Sequence, residues 1–307
     1  MSALLGIDYG GTRTKLLLCA ANGNVLARDE VPTGSLTALA ASVHTFVAGR
    51  EVTRFGLAVT GTFDSATGVV GRSTNMPWLD GTAPAGALTE LVGVPGVAVQ
   101  DGAATATAEA RLGAGRGAED VFVVALGTGI AGAHVVGGQV RAGAHGAAGE
   151  IGHLVVGGTH TCSCGQTGCL ETLIGGAQLG RRWAEERGVE QDPGCAARDV
   201  VAAAEAGDAA AVAVLERAAR GLARAILSLS ALLDPGVLIV GGGVARSPEW
   251  TVWPAVERAR DQATFHHLPE TRLAELGVWA GAHGAVLAAA APVPLMPGAE
   301  PGTGSGG

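Results

Sequence analysis

Short apolar runs, each closed by glycine or aspartate, set the rhythm of the chain. Residues 4–7 (LLGI) end at Asp8, residues 16–19 follow a turn rich in glycine and threonine, and residues 25–27 come after the pair Asn22-Gly23. Runs this short, bounded by turn residues, predict buried strands, and the Asn-Gly pair predicts a hairpin. Residues 55–59, 97–100, 121–126, 133–136 and 237–240 read the same way. Elsewhere the period changes. Leu36, Leu39, Val43 and Phe46 stand at helical spacing behind Ser35, predicting a helix over 35–50 that covers the sheet. Residues 176–188 and 196–232 also read as helical, with Leu215, Leu222, Ile226, Leu229 and Leu233 on one apolar face and Arg217, Arg220 and Arg224 off it on a solvated surface. Residues 277–291 form a closing helix. Strands alternating with helices predict an α/β protein.

One unit occurs twice. A strand, a glycine turn with a threonine and a second strand are built around Gly10-Gly11-Thr12 and again around Gly127-Thr128-Gly129, about 120 residues later. Backbone N–H groups in such turns can receive a phosphate, a plain hairpin being the alternative reading of each turn. The spacing suggests two duplicated halves with a nucleotide between them.

Composition narrows the class. With 307 residues, 48% hydrophobic but only 4% aromatic, and 50 glycines, the core must be Ala, Val and Leu packed around many turns, in two domains or one large α/β unit. The net charge of −8, with no run of Lys or Arg, argues against nucleic acid as a partner. The amino terminus lacks a basic segment and meets Asp8 early, so no signal peptide is read there. Residues 121–140 carry no Asp, Glu, Lys or Arg, but their glycines favour strands and a turn over a membrane span. From 292 to 307 the composition shifts to Pro, Gly and Ser, the pattern of a disordered tail.

The densest chemistry lies between Gly149 and Glu171. Cys162, Cys164 and Cys169 are three of the five cysteines, His153 precedes them, and Glu150 and Glu171 flank the group. One imidazole nitrogen and three thiolates complete a closed tetrahedral set of the kind structural Zn2+ takes, with Gly165 and Gly168 letting the short loop turn its sulfurs inward. The plainer alternative is three reduced core thiols. Clustered thiols read as metal ligands suit a reducing cytoplasm, where we expect the protein.

The order Gly149-Glu150-Ile151-Gly152-His153, then Cys162-Ser163-Cys164-Gly165-Gln166-Thr167-Gly168-Cys169-Leu170-Glu171, closely resembles the signature of the ROK family of bacterial sugar kinases, repressors and their relatives. The resemblance runs from residue 4 to about residue 290. It implies a two-lobed actin/hexokinase-like (ribonuclease H-like) α/β fold, with an N-terminal lobe over 1–115, a C-terminal lobe over 116–291 and a cleft between them. It also implies a first phosphate loop at Asp8, Gly10, Gly11, Thr12 and Lys15, with Asp8 near Mg2+ and the phosphates. Gly127, Thr128 and Gly129 would form the second phosphate loop, and Gly241, Gly242 and Gly243 the adenosine motif.

On the sugar side, Asn75 in Asn75-Met76-Pro77-Trp78 either contacts a hydroxyl or simply starts a turn. Asp101, at a strand-to-helix junction, is either a helix N-cap or, as the resemblance implies, the catalytic base. Gln100 and Ala103 stand where the family has asparagines. Glu150, His153 and Glu171 would hold sugar hydroxyls, His153 using one nitrogen for zinc and one for sugar. The implied activity is phosphoryl transfer from ATP with Mg2+ to a hexose, glucose first, with N-acetylmannosamine, N-acetylglucosamine, fructose or allose as alternatives. A non-catalytic sugar-binding protein is a further reading. Repressors of the family carry a winged-helix segment ahead of the first loop, and only seven residues precede Asp8, so a repressor is not expected. A homodimer is expected from the resemblance.

Overall fold

The computed structural model describes residues 2–64, 66–73 and 76–291; Asn75 and the tail expected over 292–307 lie outside the described residues. The first half comprises β1 (Ala3–Tyr9), β2 (Arg13–Ala20), β3 (Val25–Pro32), α1 (Leu36–Val47), β4 (Val52–Val59), a short ladder of β5 (Phe63–Asp64) and β6 (Val69–Val70), α2 (Pro84–Val92), β7 (Gly96–Gln100) and α3 (Asp101–Arg111). The second comprises β8 (Asp120–Leu126), β9 (Ile130–Val136), β10 (Gln139–Val140), α4 (Glu171–Ile174), α5 (Gly176–Arg187), α6 (Ala197–Glu205), α7 (Ala209–Leu233), β11 (Val237–Gly241), α8 (Pro248–Thr251), α9 (Trp253–Gln262), β12 (Glu270–Leu273) and α10 (Ala280–Ala290).

The duplication read from the two glycine turns is visible in the sheets. One five-stranded sheet has the order β3-β2-β1-β4-β7 and the other β10-β9-β8-β11-β12. In each, the two hairpin pairings are antiparallel and the two crossover pairings parallel. Two mixed sheets of identical topology, with their helices, make the two-lobed hexokinase-like fold. Its consequence is positional: both glycine turns, Asp101 and the triple glycine all follow the carboxyl ends of parallel-paired strands, the side where open α/β sheets bind ligands.

The helix pattern differs from expectation in three places. The stretch 196–232 is two helices, because Gly207 takes φ +87° and Asp208 caps α7 by accepting the Ala211 N–H at 2.9 Å. Leu233 is not on the buried face of α7: it is 41% exposed, whereas Leu215, Leu222, Ile226 and Leu229 are buried. The solvated reading holds for Arg217 and Arg220, which pair with Glu186 and Glu216, but Arg224 donates from Nη1 to the Val156 carbonyl at 2.6 Å.

α10 returns from the second sheet to cover the first, packing on β1, β4 and α3. Backbones meet there. A Cβ at Gly6 would lie 2.1 Å from the Ala282 carbonyl oxygen, one at Gly56 1.9 Å from that of Ala285, and one at Gly284 2.0 Å from that of Ala104. Helix and sheet cannot separate enough to admit a methyl group without breaking the core beneath them. We expect Gly284→Ala to destabilise the protein by about 3 kcal/mol, the upper part of the overpacking range. Gly86→Ala, in α2 with nothing within 4 Å of the added Cβ, should stabilise by up to about 1 kcal/mol. Urea unfolding of both variants measures the contrast.

Candidate active site

Asp8 is the next-to-last residue of β1 and pairs in register with Lys15 of β2, so the two side chains share a face. The Lys15 ammonium lies 3.1 Å from Asp8 Oδ2, with both side chains largely buried at 19% and 17% exposed. The first turn of α10 closes over the same carboxylate: a Cβ at Gly281 would stand 2.9 Å from Asp8 Cγ. Asp8 is thereby held from two sides.

Asp101 is the first residue of α3, but it is not the cap. Gln100 takes that place, its Oε1 accepting the Ala103 N–H at 2.7 Å. Of the two readings open for Asp101, the N-cap is therefore not the one found. The same bond turns the oxygen of Gln100 toward the helix backbone and leaves its amide NH2 to donate to a ligand. Asp101 Oδ1 accepts the neighbouring Gly102 N–H at 2.7 Å. Burial pushes its pKa up to about 6, and the negative charges of Asp8 and Glu150 add to the rise against the stabilising Gly102 N–H. The structure thus brings Asp8, Lys15, Asp101 and the exposed Glu150 to one place.

Around them lie the glycine turns. Thr33 donates to the Gly10 carbonyl at 2.6 Å and its N–H bonds Thr12 O at 3.1 Å, which fixes the first turn while Gly11 and Thr12 stay exposed. In the second turn Gly127 N–H bonds Gly129 O at 2.9 Å, and the start of α5 donates from Gly176 N–H to Gly127 O at 2.7 Å. Thr128 and Gly129 remain open to solvent. Beyond β11, Gly242 takes φ +91° and a Cβ there would meet Leu126 O at 2.3 Å, so only glycine lets this backbone cross the end of β8.

The cysteine loop is the best-defined part of the site. His153 ends a short 3-10 turn, Val155 bridges to Cys169 and Thr161 to Thr167. Gly165 and Gly168 take φ +93° and +84°, the left-handed conformation the tight loop requires. One donor atom from each of His153, Cys162, Cys164 and Cys169 falls within 4.8 Å of the others. A tetrahedron with metal–sulfur bonds of about 2.3 Å and a metal–nitrogen bond of about 2.0–2.1 Å has sulfur–sulfur edges of about 3.8 Å and sulfur–nitrogen edges of about 3.6 Å. Cys164 Sγ and Cys169 Sγ are 3.7 Å apart, and Cys162 Sγ lies 3.6 Å from His153 Nδ1. The donor set fits zinc in type and spacing. Nδ1 faces the cluster, so Nε2 is the nitrogen left for another partner.

Glu171 carries a connection that the sequence did not reveal. Its Oε2 accepts the Ile130 N–H at 2.9 Å, directly after the second glycine turn, and its Oε1 lies 4.0 Å from Cys162 Sγ. One carboxylate joins the cysteine loop to that turn. Asn75 lies outside the described residues. Among the described residues no helix is long and apolar enough to cross a membrane.

Comparison with known proteins agrees with this arrangement. The ROK family profile matches residues 4–291. The glucokinase of Halalkalibacterium halodurans is 31% identical over 91% of this chain and 92% of its own, and the N-acetylmannosamine kinase of Escherichia coli O139:H28 is 32% identical over 85% and 90%. Among solved structures, the ROK hexokinase of Thermus thermophilus superimposes with a TM-score of 0.84 at 33% identity, over 94% of this chain and 97% of that one. The ROK glucokinase of Streptomyces griseus, solved with glucose and AMPPNP, gives 0.78 at 28%, over 94% and 99%.

Proposed function

Since the chain belongs to the ROK family, we propose that it is an ATP-dependent sugar kinase, transferring the γ-phosphate to a hexose hydroxyl and, first among candidates, converting glucose to glucose 6-phosphate. The observation that carries this reading is the meeting of Asp101, Asp8 and Lys15 beside a glycine turn, with Glu150, close ahead of the Cys3His loop, near enough to raise the Asp101 pKa.

Asp101 accepts the proton of the attacking hydroxyl. The hydroxyl oxygen then bonds to the γ-phosphorus as the bond to the β–γ bridging oxygen breaks, and ADP leaves. Lys15 and the N–H groups of Gly10, Gly11 and Thr12 face the transferring phosphates, with Gly127, Thr128 and Gly129 opposite and Gly241, Gly242 and Gly243 under the adenosine. Asp8, next to other carboxylates, offers the hard oxygen donors that Mg2+ takes, and the ion when bound would neutralise phosphate charge. Glu150, His153 Nε2, Glu171, the amide of Gln100 and Asn75 orient the sugar. Zn2+ on His153, Cys162, Cys164 and Cys169 would serve as a structural clamp, its coordination closed.

The same reading places the lobes at 1–115 and 116–291, with α10 crossing back, and takes the protein to be a cytoplasmic homodimer. An N-acetylhexosamine kinase is the second reading, favoured by the 32% identity to an N-acetylmannosamine kinase and by Ala103, a small side chain beside the proposed base. A coupled ADP-release assay across hexoses and N-acetylhexosamines, with ATP or polyphosphate as donor, separates these readings. Saturable turnover on one sugar names the substrate. Turnover on none, with thermal stabilisation by one of them, would replace the kinase with a binding protein.

The pH profile follows from Asp101. Only the carboxylate accepts a proton, so kcat/KM is expected to rise with pH through about 6 and level off above. A profile that stays flat from pH 7 down to pH 5, with no loss of kcat/KM through 6, would remove Asp101 from the role.

A further inference from the structure

The chain passes between the two sheets twice, along 112–119 from α3 to β8 and along 274–279 from β12 to α10. One carboxylate is bonded to both passages. Glu109, near the end of α3, is 1% exposed. Its Oε2 accepts the N–H of Ala114 at 3.2 Å and of Glu275 at 3.1 Å, and its Oε1 accepts the N–H of Leu276 at 2.8 Å. A carboxylate withdrawn from water is stable only with such partners, and all three come from the crossovers. Two arginines add to this: Arg272, in β12, donates from Nη1 to Ala114 O at 2.7 Å, and Arg116 Nη2 lies 3.3 Å from Glu275 Oε2.

Only a carboxylate suits this position. It has acceptor sites on both oxygens, so one side chain can receive three N–H groups from two separate segments. A glutamine would turn an NH2 group toward at least one of these donors. Space is equally restricted, since a Cβ at Gly113 would lie 2.1 Å from Glu109 Oε2.

At the other end of the same helix is Asp101, eight residues and about 12 Å away at 1.5 Å rise per residue. α3 is gripped along its length by α10, Gly284 lying against the Ala104 carbonyl. We propose that Glu109 is the positioning residue of the hinge between the two sheets: it pins both crossovers to α3 and, through that helix, sets the place of Asp101. The inference rests on the kinase reading for the role of Asp101, and on the hydrogen bonds alone for the hinge.

The test compares the full-length protein with Glu109→Gln and Gly113→Ala by amide hydrogen exchange and steady-state kinetics. Gly113→Ala keeps the carboxylate but pushes it off its partners, so it stands in if Glu109→Gln does not fold. In both variants, exchange over 112–118 and 274–279 should rise about 10- to 100-fold. Exchange in β1 and β11 should stay as in the wild type. kcat should fall about 10-fold or more while the sugar KM changes less, because the lost quantity is geometry at the base rather than sugar contact. Unchanged exchange in the two crossovers overturns the hinge, and raised exchange with intact kcat overturns the link to Asp101. A wild type that phosphorylates no sugar would instead fail the kinase reading, and the exchange result would still decide the hinge.

Discussion

Asp101→Asn is expected to lose about 10²- to 10⁴-fold in kcat, the range found when a general base is removed, with the sugar KM within a few-fold of wild type. The substitution keeps the shape of the side chain and the bond to Gly102 N–H, and removes only the charge and basicity. It should not unfold the protein. The Asp101 carboxyl is pushed up to about 6 in the folded state against an ordinary value of 3.8, so the native state binds this proton more tightly than the unfolded chain. Stability from this group is therefore present at low pH and is lost as pH rises through about 6. At pH 7 the wild type bears a largely desolvated negative charge that the asparagine lacks, and Asp101→Asn should be at least as stable there. An inactive, destabilised variant would point to a structural role, and an active one would dismiss the base.

The second large effect is expected at Cys169. Its side chain is 0% exposed, its sulfur is 3.7 Å from that of Cys164, and its backbone bridges to Val155. Cys169→Ser replaces a thiolate with a hydroxyl, a poor zinc ligand, at the centre of the cluster. Bound zinc should drop from about one equivalent per chain to well below half by elemental analysis. The loss should extend beyond the metal. His153 would no longer be held at Nδ1 by the metal, and the loop that carries Glu171 next to Cys169 would lose its clamp. A misplacement of about 1 Å in groups that orient a substrate can cost about 10²-fold, and kcat/KM for the sugar should fall by at least that much. Cys195→Ser, at a cysteine remote from the loop against Gly180, serves as the control and should keep both zinc and activity. Full zinc content in Cys169→Ser would break the four-ligand assignment.

What the sequence made legible is what local pattern encodes. The apolar runs ending at Asp8 and Gln100 are real strands, and the repeated glycine turns lie at equivalent places in two sheets of one topology. The Cys3His spacing was readable because four ligands of one metal must sit close in a short loop. β12 was not readable, since three of the four residues of Glu270-Thr271-Arg272-Leu273 are polar and they form a strand only because the edge of β11 is there to receive it. The break between α6 and α7 was available in Gly207-Asp208 but was overridden by the alanine-rich context on both sides. Gln100 as a cap ran against propensity, which favours the aspartate beside it. The tasks of Glu109 and Glu171 were out of reach for another reason. Their partners are backbone amides at Ala114, Glu275 and Leu276, and at Ile130, groups that every residue but proline carries and no side-chain pattern announces.

The most direct test is a 31P NMR time course of the purified protein with ATP, Mg2+ and glucose. The account predicts that the γ-phosphate signal decays as a sugar phosphomonoester and ADP appear in equal amounts, and that neither forms with Asp101→Asn on the same timescale. Release of inorganic phosphate without a sugar phosphate, or no change in ATP with any hexose or N-acetylhexosamine supplied in turn, would contradict it.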